Sequence, residues 1–391
     1  MSHPEPSIAT RCIHGGRRPG PGDSSVVTPI FQTTNFVPSA ADYAQVEAGD
    51  LAGSRVYSRY GNPTVAAVER RIAALENAQE ARLFASGNAA SHAAIMALCL
   101  PGGHLIASDK LYGGTRELLQ AALTAAGGRV SFVDFSQLSA IEGALEPQTR
   151  VLFCESLANP TLEVADLPAL GEFSKAHNLR LVVDATYATP ILQRPLDLGA
   201  DLVMHSVSKY YGGHSDVLGG VLAGSAEIME QITAWRTNTG GVLDPHAAFL
   251  LDRGIKTLAV RVRAHQAGAA QLAEFLAGHS AVERVLYPGL ASFAQHDLAK
   301  RVLQGFGGML LLCLRGSDED GKGVLERLRV ALPAPSLGGV ETLVSQPAFT
   351  SHACLSAAER QAAGIPPGSI RISVGIEEPA DLLADFDQAL G

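Results

Sequence analysis

Lys209 closes the segment His205-Ser206-Val207-Ser208-Lys209, directly after the run Asp201-Leu202-Val203-Met204, and is followed by Tyr210, Tyr211, Gly212 and Gly213. Desolvating an ammonium is costly, so a lysine behind a buried strand needs either a purpose or a way out to water. One purpose is covalent: a neutral lysine amine forms a Schiff base with an aldehyde cofactor such as pyridoxal phosphate. Ser206 and Ser208 then read as hydroxyl donors to that cofactor's phosphate. A strand-end lysine reaching solvent would leave the same local sequence, so the remaining parts of such a site must be sought elsewhere in the chain.

Asp184 ends the run Arg180-Leu181-Val182-Val183 and precedes Ala185-Thr186. A carboxylate there can pair with a pyridine nitrogen and keep it protonated, which makes the ring an electron sink; a helix cap or turn would use the same residue. The run Ala81–Ala85 leads into Ser86-Gly87-Asn88 and then a helix, a turn that offers free N–H groups to a phosphate or serves as a plain N-cap. Tyr112, before Gly113-Gly114, is placed to stack on a flat ring or simply to pack. Asn159 follows the run Arg150–Glu155 and can hydrogen-bond a cofactor's phenolic oxygen or a substrate carboxylate. Arg371 is a charge inside the apolar Ile370-Arg371-Ile372-Ser373; a buried guanidinium needs an anion, either a substrate carboxylate or a structural partner. Together these residues supply a phosphate turn, a stacking ring, a pyridine partner, a Schiff-base lysine and a carboxylate clamp.

The elements that must position them are those of an α/β protein. Short apolar runs at Ala81–Ala85, His104–Ser108, Arg129–Val133, Arg150–Glu155, Arg180–Asp184, Leu202–His205 and Gly220–Ala223 alternate with helical stretches such as Ala89–Leu100, Thr115–Ala126 and Leu167–Ala176. That alternation predicts crossover units and a mostly parallel seven-stranded sheet, with ligands outside the carboxyl ends of its strands. Val65, Val68, Ile72 and Leu75 recur at helical spacing. Beyond Pro245 the pattern changes to a helix-rich stretch, Ala247–Ala277, and then strand-like Phe306–Leu314 and Ser369–Val374, as expected of a smaller α+β domain. The first sixty or so residues lack periodicity but carry Ile30, Phe31, Phe36 and Val37, which favour an arm that docks on another surface. The expected division is an arm over 1–62, a large cofactor-binding domain over 63–246 and a small C-terminal domain over 247–391.

With 391 residues, 47% hydrophobic, the chain is too long for one compact core and too apolar for disorder. A formal net charge of -9, with arginines scattered singly or in pairs such as Arg17-Arg18 and Arg70-Arg71, argues against nucleic acid as a partner. Cys12, Cys99, Cys154, Cys313 and Cys354 form no C-x-x-C pair and fit reduced thiols; Cys99, Cys154 and Cys313 sit in apolar runs as core filler. Met1–Pro6 has neither the basic start nor the apolar stretch of a signal peptide, and no run approaches a membrane span. A cytoplasmic, soluble enzyme is expected. The turn Ala85-Ser86-Gly87-Asn88 is not the G-x-G-x-x-G of a dinucleotide-binding oxidoreductase. His205 and His214 lack further ligands at metal spacing, so no metal is expected.

On these residues the chain resembles the Cys/Met-metabolism family of pyridoxal-phosphate enzymes, with its cystathionine γ-synthases, cystathionine γ-lyases and methionine γ-lyases. The resemblance covers nearly the whole chain. It includes Tyr57 to Thr64, Ala85-Ser86-Gly87, Leu111 to Thr115, Glu155 to Pro160, His205 to Lys209 with Gly213 to Asp216, Ser336 to Gly339, and Arg371 to Glu377. It implies a fold-type I transferase architecture and pyridoxal 5'-phosphate as cofactor. It further implies that Tyr57 and Arg59 reach a neighbouring subunit's phosphate in a homotetramer built from active dimers. Ser86, Gly87, Asn88, Ser206 and Ser208 would cradle the phosphate, Tyr112, Asp184 and Thr186 would hold the ring, and Asn159, Ser336 and Arg371 the substrate's α-carboxylate. The chemistry so implied begins with the substrate amine displacing Lys209. The freed lysine removes the Cα proton, Asp184 supports the negative charge through the ring, and Lys209 with Tyr112 moves protons so that a group on Cγ departs.

Departures from the family pattern bear on the substrate. Cystathionine-processing members typically carry a glutamate before Tyr-Ser-Arg, an arginine five residues after the tyrosine and a glutamate before Ser-Leu-Gly-Gly. Here Val56, Glu117 and Pro335 stand there. Glu117 is thus a candidate substrate contact that would repel a distal carboxylate. Gly114 stands where methionine γ-lyases usually have cysteine, and Asn88 and Ala185 depart as well. The reading is a γ-elimination lyase for a smaller γ-substituted amino acid, with γ-replacement, or elimination of a non-sulfur group such as halide, as alternatives.

Overall fold

Seven strands whose side chains are mostly buried build the larger sheet: β1 Glu80–Phe84, β2 His104–Ser108, β3 Arg129–Val133, β4 Thr149–Glu155, β5 Arg180–Asp184, β6 Leu202–Ser206 and β7 Gly220–Gly224. The computed structural model describes residues 6–16, 25–50, 55–353 and 356–391; Met1–Glu5, the Arg17-Arg18 pair, Pro19–Gly22 and Cys354 lie outside the described residues. The strands lie in the order β1-β7-β6-β5-β4-β2-β3. The β2–β3, β2–β4, β4–β5 and β5–β6 pairs are parallel, whereas β7 runs antiparallel to both β6 and β1. β2 and β7 are buried along their whole length because helices cover both faces. On one face Ala90 and Ile95 pack with Leu105, Val151 and Leu222. On the other, Leu167 and Leu170 pack with Ile106 and Leu181, and Val68 and Ile72 pack with Leu83, Val203 and Val221.

The helices start where their first residues can satisfy free N–H groups. Asn62 caps Pro63–Glu76, and Ser86 caps Gly87–Cys99 through Ala89 N–H at 3.1 Å. The helix expected over Thr115–Ala126 is instead a short α-helix, Gly113–Leu118, that widens into a π-helical turn, Leu119–Leu123, with Leu119 and Leu123 both buried. Ala85 falls outside β1; its N–H leaves the sheet to bond Gly241 O at 2.9 Å.

A second sheet follows, from β8 Val282–Leu286, β9 Met309–Leu314, β10 Leu332–Pro333, β11 Leu343–Ser345 and β12 Ser369–Ser373, in the order β10-β11-β12-β9-β8. The helix Leu258–Ala277 joins the two halves: Leu258 and Val262 enter the first core, while Ala269, Leu272 and Leu276 lie under the second sheet beside Leu382 and Phe386. Among the described residues, no helix is long and apolar enough to cross a membrane.

Candidate active site

The carboxyl ends of β4, β5 and β6, the start of helix Gly87–Cys99, and β12 border one cavity of about 690 Å³. Lys209 enters it from the turn after β6. That turn is fixed by Lys209 N–H bonding Ser206 O at 3.2 Å and Gly213 N–H bonding Lys209 O at 2.8 Å. Lys209 Nζ donates to Ser336 Oγ at 2.7 Å. Burial, and then the nearby Arg371 charge, hold its amine below the usual lysine range. Such an amine is a better nucleophile and base at neutral pH than an exposed lysine.

Asp184, the last residue of β5, is built into a short network. Its Oδ1 accepts from Thr186 N–H at 2.9 Å and from Thr186 Oγ1 at 2.5 Å, and Thr186 Oγ1 in turn accepts Ser206 N–H at 2.9 Å. Thr186 therefore ties the pyridine-partner candidate to the strand that delivers the lysine. Burial raises the Asp184 carboxyl, with the Thr186 bonds and His205 acting against it.

The phosphate-turn candidates converge as well. Ser86, Gly87, Asn88, Ser206 and Ser208 all line the cavity. A Cβ on Gly87 would sit 3.2 Å from Ser206 Cβ, tighter than an ordinary van der Waals contact. Ser208 Oγ donates to Gly219 O and accepts Gly219 N–H at 2.9 Å, which fixes the far side of the lysine loop. Ser86 is also a true N-cap, so the capping reading and the phosphate reading share one residue.

Arg371, buried in β12, donates from Nη1 to Asn159 Oδ1 at 3.2 Å and from Nη2 to Ser336 O at 2.8 Å. Both acceptors are neutral, and among the described residues no carboxylate pairs with this guanidinium. A buried cation with neutral partners is a ready carboxylate site. Ser336 holds its backbone at φ 93°, and from that strained position its hydroxyl faces Lys209 while its carbonyl faces Arg371.

Tyr112 borders the cavity from the loop after β2, half open to solvent. Its ring folds over Gly114, where a Cβ would fall 2.6 Å from Tyr112 Cε1. Tyr57, Arg59 and Glu117 do not line this chain's cavity. Arg59 instead bonds Thr237 O at 2.9 Å and lies over the Tyr57 and Tyr60 rings. Glu117 is exposed on helix Gly113–Leu118, while the buried Thr115 of that helix takes the inward place.

Two lining residues carry roles that no motif had suggested. Glu155, at the end of β4, pairs in register with Asp184 and accepts Tyr112 N–H at 2.6 Å and Asn159 N–H at 3.0 Å. Burial and the Asp184 charge push it up to about 8. Its position, a carboxylate closing an apolar strand, is the same signal that marked Asp184. Tyr187 borders the cavity with its hydroxyl buried near Arg371.

This donor set fits pyridoxal 5'-phosphate. Glycine, hydroxyls and a helix start suit the phosphate, the lowered lysine suits the aldehyde, and Asp184, whose Oδ2 carries no hydrogen bond among the described residues, suits the ring nitrogen.

The family model described as Cys/Met metabolism PLP-dependent enzyme matches residues 9–391. The chain is 42% identical over 384 residues to a cystathionine gamma-synthase of Mycobacterium leprae, covering 98% of this chain and 96% of that protein. It is 42% identical over 388 residues to an L-methionine gamma-lyase of Pseudomonas putida, covering 98% and 97%. Among solved structures, metB from Corynebacterium glutamicum superposes with a TM-score of 0.91 at 37% identity, covering 98% of each chain. With a matching model over almost its full length, a shared fold and a cavity built for the cofactor, this chain belongs to the Cys/Met-metabolism family of PLP-dependent enzymes and uses pyridoxal 5'-phosphate.

Proposed function

We propose that the enzyme catalyses γ-elimination from an L-amino acid bearing an uncharged γ-substituent. Bound in the cavity, pyridoxal 5'-phosphate supplies an electron sink for negative charge at the substrate's Cα. Arg371 and Asn159 bind the α-carboxylate. Lys209, steadied by Ser336, would take the Cα proton, and Asp184 would hold a proton at the ring nitrogen. Lys209 and the Tyr112 phenol move the protons that let the γ-substituent leave. Tyr57 and Arg59, on the outside of this chain's cavity, would serve a neighbouring subunit's phosphate. With that assignment residues 1–62 are an arm contacting the neighbouring subunit, beside a 63–246 cofactor-binding domain and a 247–391 small domain, in a tetramer built from active dimers.

The observation that carries elimination is the lining of the cavity. Its ionisable members among the described residues apart from the tyrosines, Glu155, Asp184, Lys209 and Arg371, all have the duties just described or bonds to the protein. What remains beside them among the described residues is uncharged, including Leu218, Pro335, Leu337, Thr350 and Ser351. A reaction that brings in a second zwitterion, such as cysteine as nucleophile, must seat another ammonium and carboxylate, and unpaired charge out of water is expensive. Replacement by a small uncharged thiol needs no such seat; γ-replacement as a second reading draws support from the likeness to a cystathionine gamma-synthase, whose own product would bring in cysteine. A panel of γ-substituted amino acids, assayed with and without added thiol for 2-oxo acid, ammonia and thioether, separates the two. Release of 2-oxo acid and ammonia without thiol is expected, and thioether without 2-oxo acid would overturn elimination.

A further inference from the structure

Glu155 stands where three parts of the site meet. Oε1 takes the N–H of Tyr112 at 2.6 Å, from the loop after β2, and Oε2 takes the N–H of Asn159 at 3.0 Å, from the loop after β4. Asn159 is in turn bonded to Arg371 of the second sheet. A single carboxyl thus spans from the residue placed to stack on the cofactor to the pair placed to hold the substrate. Backbone N–H groups at such loops have no strand partner, so losing the carboxyl would leave buried donors unpaired and free the loops to shift.

From these contacts we infer that Glu155 is a positioning residue that locks the Tyr112 loop and the Asn159–Arg371 clamp into one register, so that amino-acid binding and ring stacking are set together. The inference rests on the assignment of Asn159 and Arg371 to the substrate carboxylate. Burial and Asp184 raise the Glu155 carboxyl, while the two loop N–H bonds act against that. A carboxyl keeps acceptor capacity on both oxygens in either form, whereas an amide accepts at one atom only. Glu155→Gln is therefore close in shape but sets an N–H donor against one of the two loop donors. Glu155→Asp keeps the acid but is a methylene too short to reach both.

The test is equilibrium binding of glycine to the holoenzyme, followed through the cofactor's visible absorbance, with visible circular dichroism as a report on ring stacking. Glu155→Gln and Glu155→Asp are each expected to raise the glycine Kd about tenfold, the cost of a charge-assisted or buried hydrogen bond. Both should also alter the dichroic band. Asn159→Ala should raise the Kd too, and adding Glu155→Gln to it should raise it less than in the parent, because the side chain that the tie aims at Arg371 is then gone. Full additivity, or an unchanged Kd and band in Glu155→Gln, would sink the inference while leaving the clamp intact. An unchanged Kd in Asn159→Ala alone would instead sink the clamp assignment and the inference with it. If neither Glu155 variant gives folded holoenzyme, the carboxyl supports the core rather than the site, and the inference is wrong.

Discussion

Lys209 and Arg371 are held by opposite sides of one residue: Ser336 offers its hydroxyl to the lysine at 2.7 Å and its carbonyl to the arginine at 2.8 Å. The strand-end lysine of the larger sheet and the strand arginine of the smaller one are thus set at a fixed separation by a serine whose φ is 93°. That conformation costs on the order of 1–3 kcal/mol for a non-glycine residue and persists where the surroundings over-determine it. Lys209→Ala is expected to abolish the visible absorbance of the lysine-bound cofactor and to lower kcat by about 10²–10⁴-fold, the usual share of a positioned acid–base group. Retention of both would remove Lys209 from the centre of the chemistry.

The Arg371 charge contributes to the depressed basicity of Lys209. A cation nearby disfavours the protonated amine, so its removal favours protonation and moves the titration upward. In Arg371→Gln, the rate at which apoprotein takes up pyridoxal 5'-phosphate should therefore reach half its maximum at a higher pH than in the parent. KM for the amino acid should rise about tenfold or more with loss of a charged hydrogen-bond donor. A stopped-flow series across pH reads the first effect, steady-state kinetics the second.

Thr186→Val keeps the shape of Thr186 but deletes the hydroxyl shared by Asp184 Oδ1 and Ser206 N–H. Stability should fall by about 1–3 kcal/mol in urea unfolding of the holoenzyme, because a buried donor is left unpaired. The cofactor should also bind more weakly, since Asp184 and the lysine strand lose their common tie.

Gly220→Ala should open the phosphate turn from behind. Its Cβ would fall 2.3 Å from Ser86 O, a backbone atom that cannot step aside. Gly143→Ala is the matched control, with nothing within 4 Å of its Cβ. The first should raise the cofactor Kd about tenfold and destabilise by about 1–3 kcal/mol, the ordinary range for overpacking; the second should do neither.

Pro335→Glu tests the uncharged lining. A carboxylate placed among Leu218, Leu337 and Ser351 would offer a partner to a distal ammonium. The ratio of kcat/KM for cystathionine to that for an apolar γ-thioether is expected to rise about tenfold, a charge-pair effect of order 1.4 kcal/mol. An unchanged ratio would mean that the lining does not select the substrate.

The parts of the site that were legible in sequence are those at the ends of apolar runs. Asp184, Lys209 and Ser86 each interrupt or follow such a run, and a parallel sheet must bring its strand ends to one side. Glu155 carried the same mark, yet its partners are the backbone N–H groups of Tyr112 and Asn159, and backbone donors leave no trace in residue types. Ser336 is also invisible to periodicity as the lysine's partner, for it sits 127 residues from Lys209 and outside any strand. In the smaller sheet, β9 and β12 were readable from continuous apolar runs, but β10 and β11 span two and three residues, too short for any pattern to show. The helix after Tyr112 was expected in place; its widening at Leu119–Leu123 was not, since burying Leu119 and Leu123 four apart satisfies an α-helix equally well.

The reversal of β7 governs how the catalytic segment opens. Ser206 of β6 is paired with Gly220 of β7, so residues 207–219 leave the sheet and return to it at the same end. A crossover would have carried the chain to the far side before re-entry; this loop instead hangs from the single Ser206–Gly220 rung. Movement of the Lys209 backbone is therefore restrained at both ends of the loop by the β6–β7 ladder and, just inside it, by the Ser208–Gly219 bonds. Amide hydrogen exchange at Val221, Leu222 and Ala223 should accordingly be among the slowest in the molecule.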